Sequence, residues 1–180
     1  MTRSSDAPVH IVPYDPTWPA LFEVERESLG HLLAPWLTGP IAHVGSTAVP
    51  GMPAKPVIDV MVGVGSLEES RQAVRVLQDV GYQYAPYYRT DVMHWLCKPS
   101  FAFRTHHLHL VPYRSPLWQE RLAFRDCLRS DGAVARAYAE LKHRLARVHQ
   151  FDREAYTEAK GPFINEILKT VLHHGGPSTE

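Results

Sequence analysis

Cysteine is scarce in this sequence, and its scarcity argues against two kinds of architecture. The 180 residues include two cysteines, Cys97 and Cys127, which lie far apart and lack CxxC spacing. Neither a disulfide framework nor a thiolate zinc site is therefore indicated. So few cysteines are typical of a chain that folds in a reducing compartment.

Net charge and long apolar runs are absent too. The 19 Lys and Arg residues balance 19 Asp and Glu residues, so the chain has no overall electrostatic attraction for nucleic acid or an anionic membrane. No segment is apolar for long enough to span a bilayer, and the first residues lack the apolar region of a signal peptide. We predict a soluble, cytoplasmic protein in which any anion site is local.

Apolar content, by contrast, is sufficient for a core. Hydrophobic residues make up 44% of the 180 positions, which suits one domain. We predict a disordered N-terminal lead over residues 1–8, a single domain over residues 9–174 and a flexible tail over residues 175–180.

The most informative stretch runs from residue 43 to residue 64 and combines a Gly-Ser turn, a proline-rich loop and an apolar strand. The prolines fix φ and remove amide donors, so residues 48–56 cannot form regular helix or central strand. Residues 57–64 are mainly β-branched, which is typical of a buried strand. Because side chains alternate along a strand, Asp59 and Met61 face one side while Val60 faces the other.

The remaining elements follow from hydrophobic periodicity and from turn residues. The first helix is predicted to start with Asp15 as its N-cap, to carry Leu21 in its apolar stripe and to end near residue 33. A second helix is predicted to follow a capping box at residues 66–69 and to stop at Gly81. Strands are predicted at 9–14, 41–44, 82–88, 94–98 and 106–113, and later helices at 116–130, 132–149 and 153–174, with a break at 161–162. This order predicts an α+β fold, with a small mixed β-sheet, packed helices and a C-terminal helical segment.

Asp59 is the first candidate for chemistry. A carboxylate in the middle of a buried strand is costly unless it is paired, hydrogen-bonded or bound to a metal. One interpretation is a ligand for a divalent ion that bridges phosphates, because Mg²⁺ prefers carboxylate oxygens. The other is a structural carboxylate held by backbone amides or by an arginine.

The Gly45-Ser46-Thr47 turn is the second candidate. Glycine allows a sharp turn and a close approach of a ligand, and successive amides with two hydroxyls can bind phosphate oxygens. His43 and Lys55 flank this loop and can add positive charge. The alternative is an ordinary turn.

A histidine cluster at residues 104–110 is the third candidate. Alternation places His107 and His109 on one face of a strand, with Arg104 and His106 on the other. Imidazoles two residues apart can bind a transition metal, contact phosphate or move protons. The alternative is a structural cluster of histidines at a sheet edge, in which the ring nitrogens are satisfied by hydrogen bonds.

Basic residues near the C-terminus form the fourth candidate. Tyr156 and Lys160 are four residues apart and share a helix face, while Lys142 and Arg144 lie on the preceding helix. These residues are interpreted either as a basic group that binds phosphate or as a solvated helix face.

Four of these segments together resemble the GrpB family. They are I-V-P-Y-D-P-T-W-P at 11–19, H-V-G-S-T-A-V-P-G-M-P-A-K-P-V-I-D-V at 43–60, H-H-L-H-L-V at 106–111 and Y-T-E-A-K at 156–160. The resemblance implies a nucleotidyltransferase-like fold. Related domains occur fused to dephospho-coenzyme A kinase in some bacteria, which implies a link to nucleotide metabolism.

The resemblance also implies a site. In the wider superfamily a Gly-Ser turn holds phosphates, and two carboxylates at i,i+2 on the next strand hold metal ions. Gly45, Ser46 and Asp59 match this pattern, whereas Met61 stands at the second carboxylate position and cannot bind Mg²⁺. The implied ligand is a nucleotide or phosphorylated small molecule. The implied phosphate-binding residues are Gly45, Ser46, Thr47, Lys55, Arg104 and Lys160.

Three functions remain open from the sequence. The first is a metal-dependent nucleotidyltransferase with Mg²⁺ or Mn²⁺, in which Asp59, His107 and His109 are the catalytic and metal-binding residues. The second is a catalytically inactive module that binds a nucleotide or a phosphorylated metabolite in the same pocket. The third is a transition-metal site built from those three side chains, serving hydrolysis.

Overall fold

The computed structural model describes residues 8–173. The predicted disordered lead, apart from residue 8, and the predicted flexible tail lie outside the described residues. Within residues 8–173 no helix is both long and apolar enough to cross a membrane. The boundaries predicted for a single domain stay a prediction.

Five strands form one sheet in the order β1-β2-β5-β4-β3. The strands are β1 Leu37–Val44, β2 Ile58–Val64, β3 Gln83–Tyr84, β4 His94–Pro99 and β5 Arg104–Pro112. The central pair, β2 and β5, is parallel, and the other neighbouring pairs are antiparallel. The sheet is therefore mixed, as the sequence predicts.

Six helices pack on this sheet or follow it. They are α1 Trp18–Leu32, α2 Arg71–Asp79, α3 Pro116–Ser130, α4 Gly132–Val148, α5 Arg153–Glu158 and α6 Gly161–His173, with short 3-10 helices at Ala34–Trp36 and Ser46–Ala48. The predicted α+β fold with a C-terminal helical segment is confirmed. The predicted break at residues 161–162 separates α5 from α6, because proline is tolerated only in the first turn of a helix.

The two faces of the sheet pack against different helices. On one face Ile58, Val60 and Val62 of β2 lie in a buried cluster with side chains of α1 and α2. On the other face Met61 lies in a second cluster with Trp118 of α3. A third cluster joins the proline-rich loop to α3, α4 and α6.

Two predicted strands are much shorter in the structure. The segment predicted as a strand at 9–14 makes only an isolated bridge between Val12 and Ala54, because Pro13 has no amide proton to extend the pairing. Of the strand predicted at 82–88, only Gln83–Tyr84 pairs, and Pro86 follows directly after Ala85. Proline ends both strands for the same reason.

The starts predicted for the first two helices are also corrected. Helix α1 begins at Trp18 after Thr17, and Asp15 instead accepts hydrogen bonds from the Thr17 amide at 2.8 Å and hydroxyl at 2.7 Å. Leu21, predicted for the apolar stripe, is 48% exposed. The Glu69 amide donates to the Ser66 hydroxyl at 3.1 Å as in a capping box, but turns follow and α2 begins only at residue 71.

Candidate functional site

The Asp59 carboxylate lies beside two histidines at the centre of the sheet. The parallel register of β2 and β5 pairs Asp59 with His107 and Met61 with His109. The Asp59 Oδ1 atom is 2.9 Å from His107 Nδ1 and 3.7 Å from His109 Nε2. Alternation along each strand predicts that Asp59 shares a face with Met61 and that His107 shares a face with His109. The parallel register of β2 and β5 then places these two pairs side by side.

Both imidazoles carry a nitrogen without a partner. Within residues 8–173 the buried side-chain polar atoms that lack a hydrogen bond are His107 Nε2 and His109 Nε2. The other nitrogen of His109 faces the Met93 sulfur at 3.4 Å, which is a weak acceptor. A buried polar atom without a partner is costly, so these two nitrogens are available to a ligand.

The protonation states of the three side chains suit a metal ion. Burial opposes ionisation of Asp59, but the hydrogen bond from His107 and the nearby His109 imidazole hold the pKa of the carboxyl well below its usual range. Burial lowers the pKa of His107, and it lowers that of His109 to about 4. An ionised carboxylate next to two neutral imidazoles is the state that binds metal ions.

The arrangement of donors also fits an ion. One ligand atom from each of Asp59, His107 and His109 can be chosen so that all three lie within 4.8 Å of one another. Nitrogen and oxygen donors bind a metal ion at about 2.1 Å. The three ligand atoms would therefore have to move slightly closer together to hold an ion. The residues therefore form a possible Asp/His metal-binding cluster.

The Gly-Ser turn lies directly against the Asp59 carboxylate. Residues 46–48 form one 3-10 turn, and Gly45 before it has φ of 71°. A Cβ atom added at Gly45 would lie 2.3 Å from Asp59 Oδ2. Only glycine both adopts this φ without strain and leaves room for the carboxylate, so the turn and Asp59 form one unit.

The Thr47 hydroxyl is occupied by internal hydrogen bonds. Thr47 Oγ1 donates to the Val57 carbonyl at 3.2 Å and lies 3.0 Å from His43 Nε2. The His43 ring stacks on Phe22 with 4.6 Å between ring centroids, and burial lowers the pKa of His43 to about 4. These contacts of His43 and Thr47 hold the turn in place, and the phosphate-binding role of Thr47 stays a prediction.

Two arginines of α3 hold the chain on either side of the turn. Arg125 donates to the His43 carbonyl at 3.0 Å. Arg129 donates through two nitrogens to the Ala48 carbonyl, at 2.9 and 2.7 Å. Sequence reasoning missed both residues, although their four-residue spacing on one helix is a visible signal.

Cationic side chains from the proline-rich loop, from α3 and from the α5–α6 junction lie near the same site. Burial lowers the pKa of Lys160 to about 7, with further lowering from Lys55 and Arg121 and an opposing effect of Asp59. The Lys160 and Lys55 amines lie 4.6 and 5.1 Å from the ring centroid of Tyr156. Lys55 and Lys160, predicted from separate segments of the sequence, thus lie around one aromatic ring. Arg121 was not predicted as a residue of this site.

Tyr138 and Lys142 of α4 pack behind these cations. Burial raises the pKa of the Tyr138 phenol, with opposing effects of Arg121 and Ser46, which places Ser46 near this ring. The Lys142 amine donates to the Pro53 carbonyl and lies 5.0 Å from the centroid of Tyr138. Lys142 therefore anchors the proline-rich loop, and Arg144 on the same helix is exposed.

Arg104 lies on the histidine face, contrary to the prediction from alternation. Its guanidinium is 5.2 Å from the centroid of Trp95, a residue that pairs with His109 across β4 and β5. The register of these strands shifts next to Pro99, and an extra residue in a strand reverses the side of the next one. His106 faces the opposite side, 3.9 Å from Glu25, as predicted.

Two open cavities of the surface lie elsewhere. A cavity of about 540 Å³ is lined by residues including Trp36, Glu69 and Arg71, and one of about 290 Å³ shares Arg71 with it. Neither contains Asp59, whose side chain is 24% exposed. The chemistry of the Asp/His cluster, and not the volume of a cavity, therefore marks it as the candidate site.

Comparisons with known proteins give a consistent result. The sequence model of the family described as GrpB protein matches residues 8–170. A UPF0157 protein of Pseudomonas aeruginosa is 38% identical over 174 residues, covering 95% of this chain and 71% of that protein. The crystal structure of conserved protein GrpB from Enterococcus faecalis superposes with a TM-score of 0.82 at 32% identity, covering 92% of this chain and 98% of that one.

A more distant similarity extends to a larger protein. A dephospho-CoA kinase of Mycolicibacterium paratuberculosis is 28% identical over 191 aligned positions. The match covers 91% of this chain but 46% of that protein.

Proposed function

Because the chain belongs to the GrpB family, we propose that it binds a nucleotide or another phosphorylated small molecule together with a divalent metal ion. The ion is held by Asp59, His107 and His109. The phosphate groups lie against the Gly45-Ser46 turn and the surrounding cations.

One observation carries this proposal. A carboxylate with a strongly lowered pKa and two buried imidazole nitrogens without hydrogen-bond partners meet at one point of the sheet. A purely structural carboxylate would leave those two nitrogens unexplained, because buried polar atoms are normally satisfied.

The donor set narrows the choice of ion. Two imidazole nitrogens and one carboxylate suit a transition-metal ion, whereas Mg²⁺ takes oxygen ligands and water. Of the two ions predicted from the sequence, Mn²⁺ therefore fits these residues better than Mg²⁺. Zn²⁺ and Fe²⁺ fit the same donors. A bound ion would supply positive charge that stabilises a phosphate group beside Asp59.

The surrounding charges support a phosphorylated ligand. The positive charges of Lys55 and Arg104 lower the pKa of His107, and that of Arg121 lowers the pKa of His109. Lys160 is close enough for its pKa to be raised by Asp59. Such a concentration of cations attracts an anion. The similarity to a protein named dephospho-CoA kinase supports a nucleotide-related ligand.

Met61 favours a binding protein over a two-metal nucleotidyltransferase. Its side chain is 1% exposed and packs with Trp118 and Val44. Among the described residues, the metal-capable cluster contains one carboxylate, and two-metal transfer needs oxygen ligands for both ions. In an enzyme with one ion, Asp59, His107 and His109 would be the catalytic residues.

Isothermal titration tests the proposal. ATP and dephospho-CoA are titrated into the wild-type protein with Mn²⁺, with Zn²⁺, with Mg²⁺ and without added metal. We expect binding that depends on Mn²⁺ or Zn²⁺, and its loss in Asp59→Asn, which keeps the shape of the side chain and removes its charge. Asp79→Asn, at an exposed position of α2, is the matched control. Metal-independent binding that Asp59→Asn leaves intact would contradict the metal role, and absence of binding under all conditions would contradict the function.

A further inference from the structure

Three arginines form a row along α3. Arg121, Arg125 and Arg129 follow one another at intervals of four residues, so their side chains leave the helix on one face. Arg125 ends on the His43 carbonyl and Arg129 on the Ala48 carbonyl. Two of the three guanidinium groups are thus used to hold the chain on either side of the Gly-Ser turn.

Arg121 differs from the other two. Within residues 8–173 its guanidinium makes no hydrogen bond and no ion pair, although its side chain is half-buried. Its charge acts on His109, Tyr138 and Lys160. Because these residues come from β5, α4 and the α5–α6 junction, Arg121 faces the space between the Asp/His cluster and the C-terminal helices.

We propose that Arg121 binds a terminal phosphate group of the ligand, in a bidentate contact beside Asp59 and Lys160. This assignment rests on the proposed function and names the chemical group that the site recognises. A guanidinium presents parallel N–H donors that match two phosphate oxygens, which an ammonium group cannot do.

The local charges explain why the group must be strongly anionic. Burial lowers the pKa of Lys160 to about 7, and the positive charges of Lys55 and Arg121 lower it further. A phosphate between Arg121 and Lys160 would offset this repulsion and would favour the charged form of Lys160. Asp59 repels the same phosphate, so the ligand is expected to bind together with a divalent ion, whose charge would offset that of the carboxylate.

The experiment uses pyrophosphate with Mn²⁺ as the probe and two variants of the full chain. Arg121→Gln removes the charge and the bidentate contact, and it should weaken pyrophosphate binding about 10- to 100-fold. Arg121→Lys keeps the charge and should weaken binding by a smaller factor. Arg136→Gln, at an exposed position of α4, should bind like the wild type.

Mn²⁺ titrated alone provides the second measurement. Arg121→Gln should keep or slightly improve Mn²⁺ affinity, because it removes a nearby positive charge and leaves Asp59 and the histidines in place. Unchanged Mn²⁺ binding therefore also reports that the variant is folded.

The outcomes separate this inference from the function on which it rests. Equal pyrophosphate affinity in the wild type and Arg121→Gln would overturn the role of Arg121 and leave the proposed function standing. A wild-type protein that binds neither pyrophosphate nor nucleotide would overturn both. Loss of Mn²⁺ and pyrophosphate binding together in Arg121→Gln would show that Arg121 supports the fold of the site, and it would overturn the phosphate contact.

Discussion

The two faces of β2 differ in how fully their side chains are satisfied. On one face Ile58, Val60 and Val62 are buried among the side chains of α1 and α2 and need no polar partner. On the other face Asp59 is held by His107, and two imidazole nitrogens remain without partners. Residues adjacent in the chain thus serve opposite purposes, because alternation along a strand separates them.

From this difference we expect that stability and binding can be changed separately. Substitutions on the apolar face should change the free energy of unfolding and leave binding intact in the folded fraction. Substitutions on the polar face should act mainly on binding.

The largest expected effect is that of Leu108→Ala on the apolar face. Leu108 of β5 is 0% exposed, and truncating a buried leucine creates a cavity that costs about 2–5 kcal/mol of unfolding free energy. Urea denaturation measures this cost, and Mn²⁺ titration of the folded variant should give the wild-type affinity. Val24→Ala, at a position that is 70% exposed, is the control and should cost about 0.5 kcal/mol or less. A tenfold loss of Mn²⁺ affinity in Leu108→Ala would show that the faces are coupled.

The next effect is a pH dependence that arises from His43. Its pKa is about 4 in the folded protein and 6.5 ordinarily, so the unfolded chain binds more protons between these values. The contribution of neutral His43 to the free energy of unfolding is complete above pH 6.5. It is lost as the pH falls towards 4, and the loss amounts to about 3 kcal/mol at most. His43→Gln retains an N–H donor near Thr47 and cannot take up this proton.

Urea midpoints between pH 7.5 and pH 4.5 check this prediction. The wild type should lose more unfolding free energy over that range than His43→Gln does. Because the pKa of His109 is also lowered to about 4, part of the loss should persist in the variant. Identical losses in the two proteins would show that His43 does not contribute.

A smaller effect is expected from Gly45→Ala, on the polar face. The added Cβ would lie 2.3 Å from Asp59 Oδ2, in a residue with φ of 71°. Gly51→Ala is the matched control, because Gly51 has φ of 75° and open space around the added atom. Both variants should lose about 1 kcal/mol from backbone strain, and Gly45→Ala should lose about 1–2 kcal/mol more through the displaced carboxylate.

Metal affinity provides a second comparison of these two variants. Gly45→Ala should bind Mn²⁺ more weakly than Gly51→Ala, since only the first displaces a ligand atom. Equal stabilities and equal Mn²⁺ affinities would show that the turn does not rest on the carboxylate.

Local sequence patterns predicted most of the polar face. Alternation along single strands placed Asp59 with Met61 and His107 with His109, and proline and glycine marked the turn. The parallel pairing that joins the two strands depends on the whole sheet, so residue spacing along a single strand does not reveal it. Arg104 was assigned to the wrong face because a shift of register near Pro99 is not visible in residue spacing.

The contribution of α3 was the main omission. Arg121, Arg125 and Arg129 have regular helical spacing in the sequence, but such a row is also typical of a solvated helix face. Their targets are backbone carbonyls and a polar centre in distant segments. Tertiary docking of the helix therefore determines their role, and sequence periodicity alone does not reveal it.

The most direct test of a metal site on the polar face is histidine NMR during a Zn²⁺ titration. The chain has 11 histidines, and long-range ¹H–¹⁵N spectra report each imidazole separately. One equivalent of Zn²⁺ should shift the ring nitrogens of His107 and His109 and leave those of His43 and His106 unchanged, and Asp59→Asn should abolish the shifts. If stoichiometric Zn²⁺ leaves His107 and His109 unchanged, or shifts only other histidines, the polar face does not hold a metal ion.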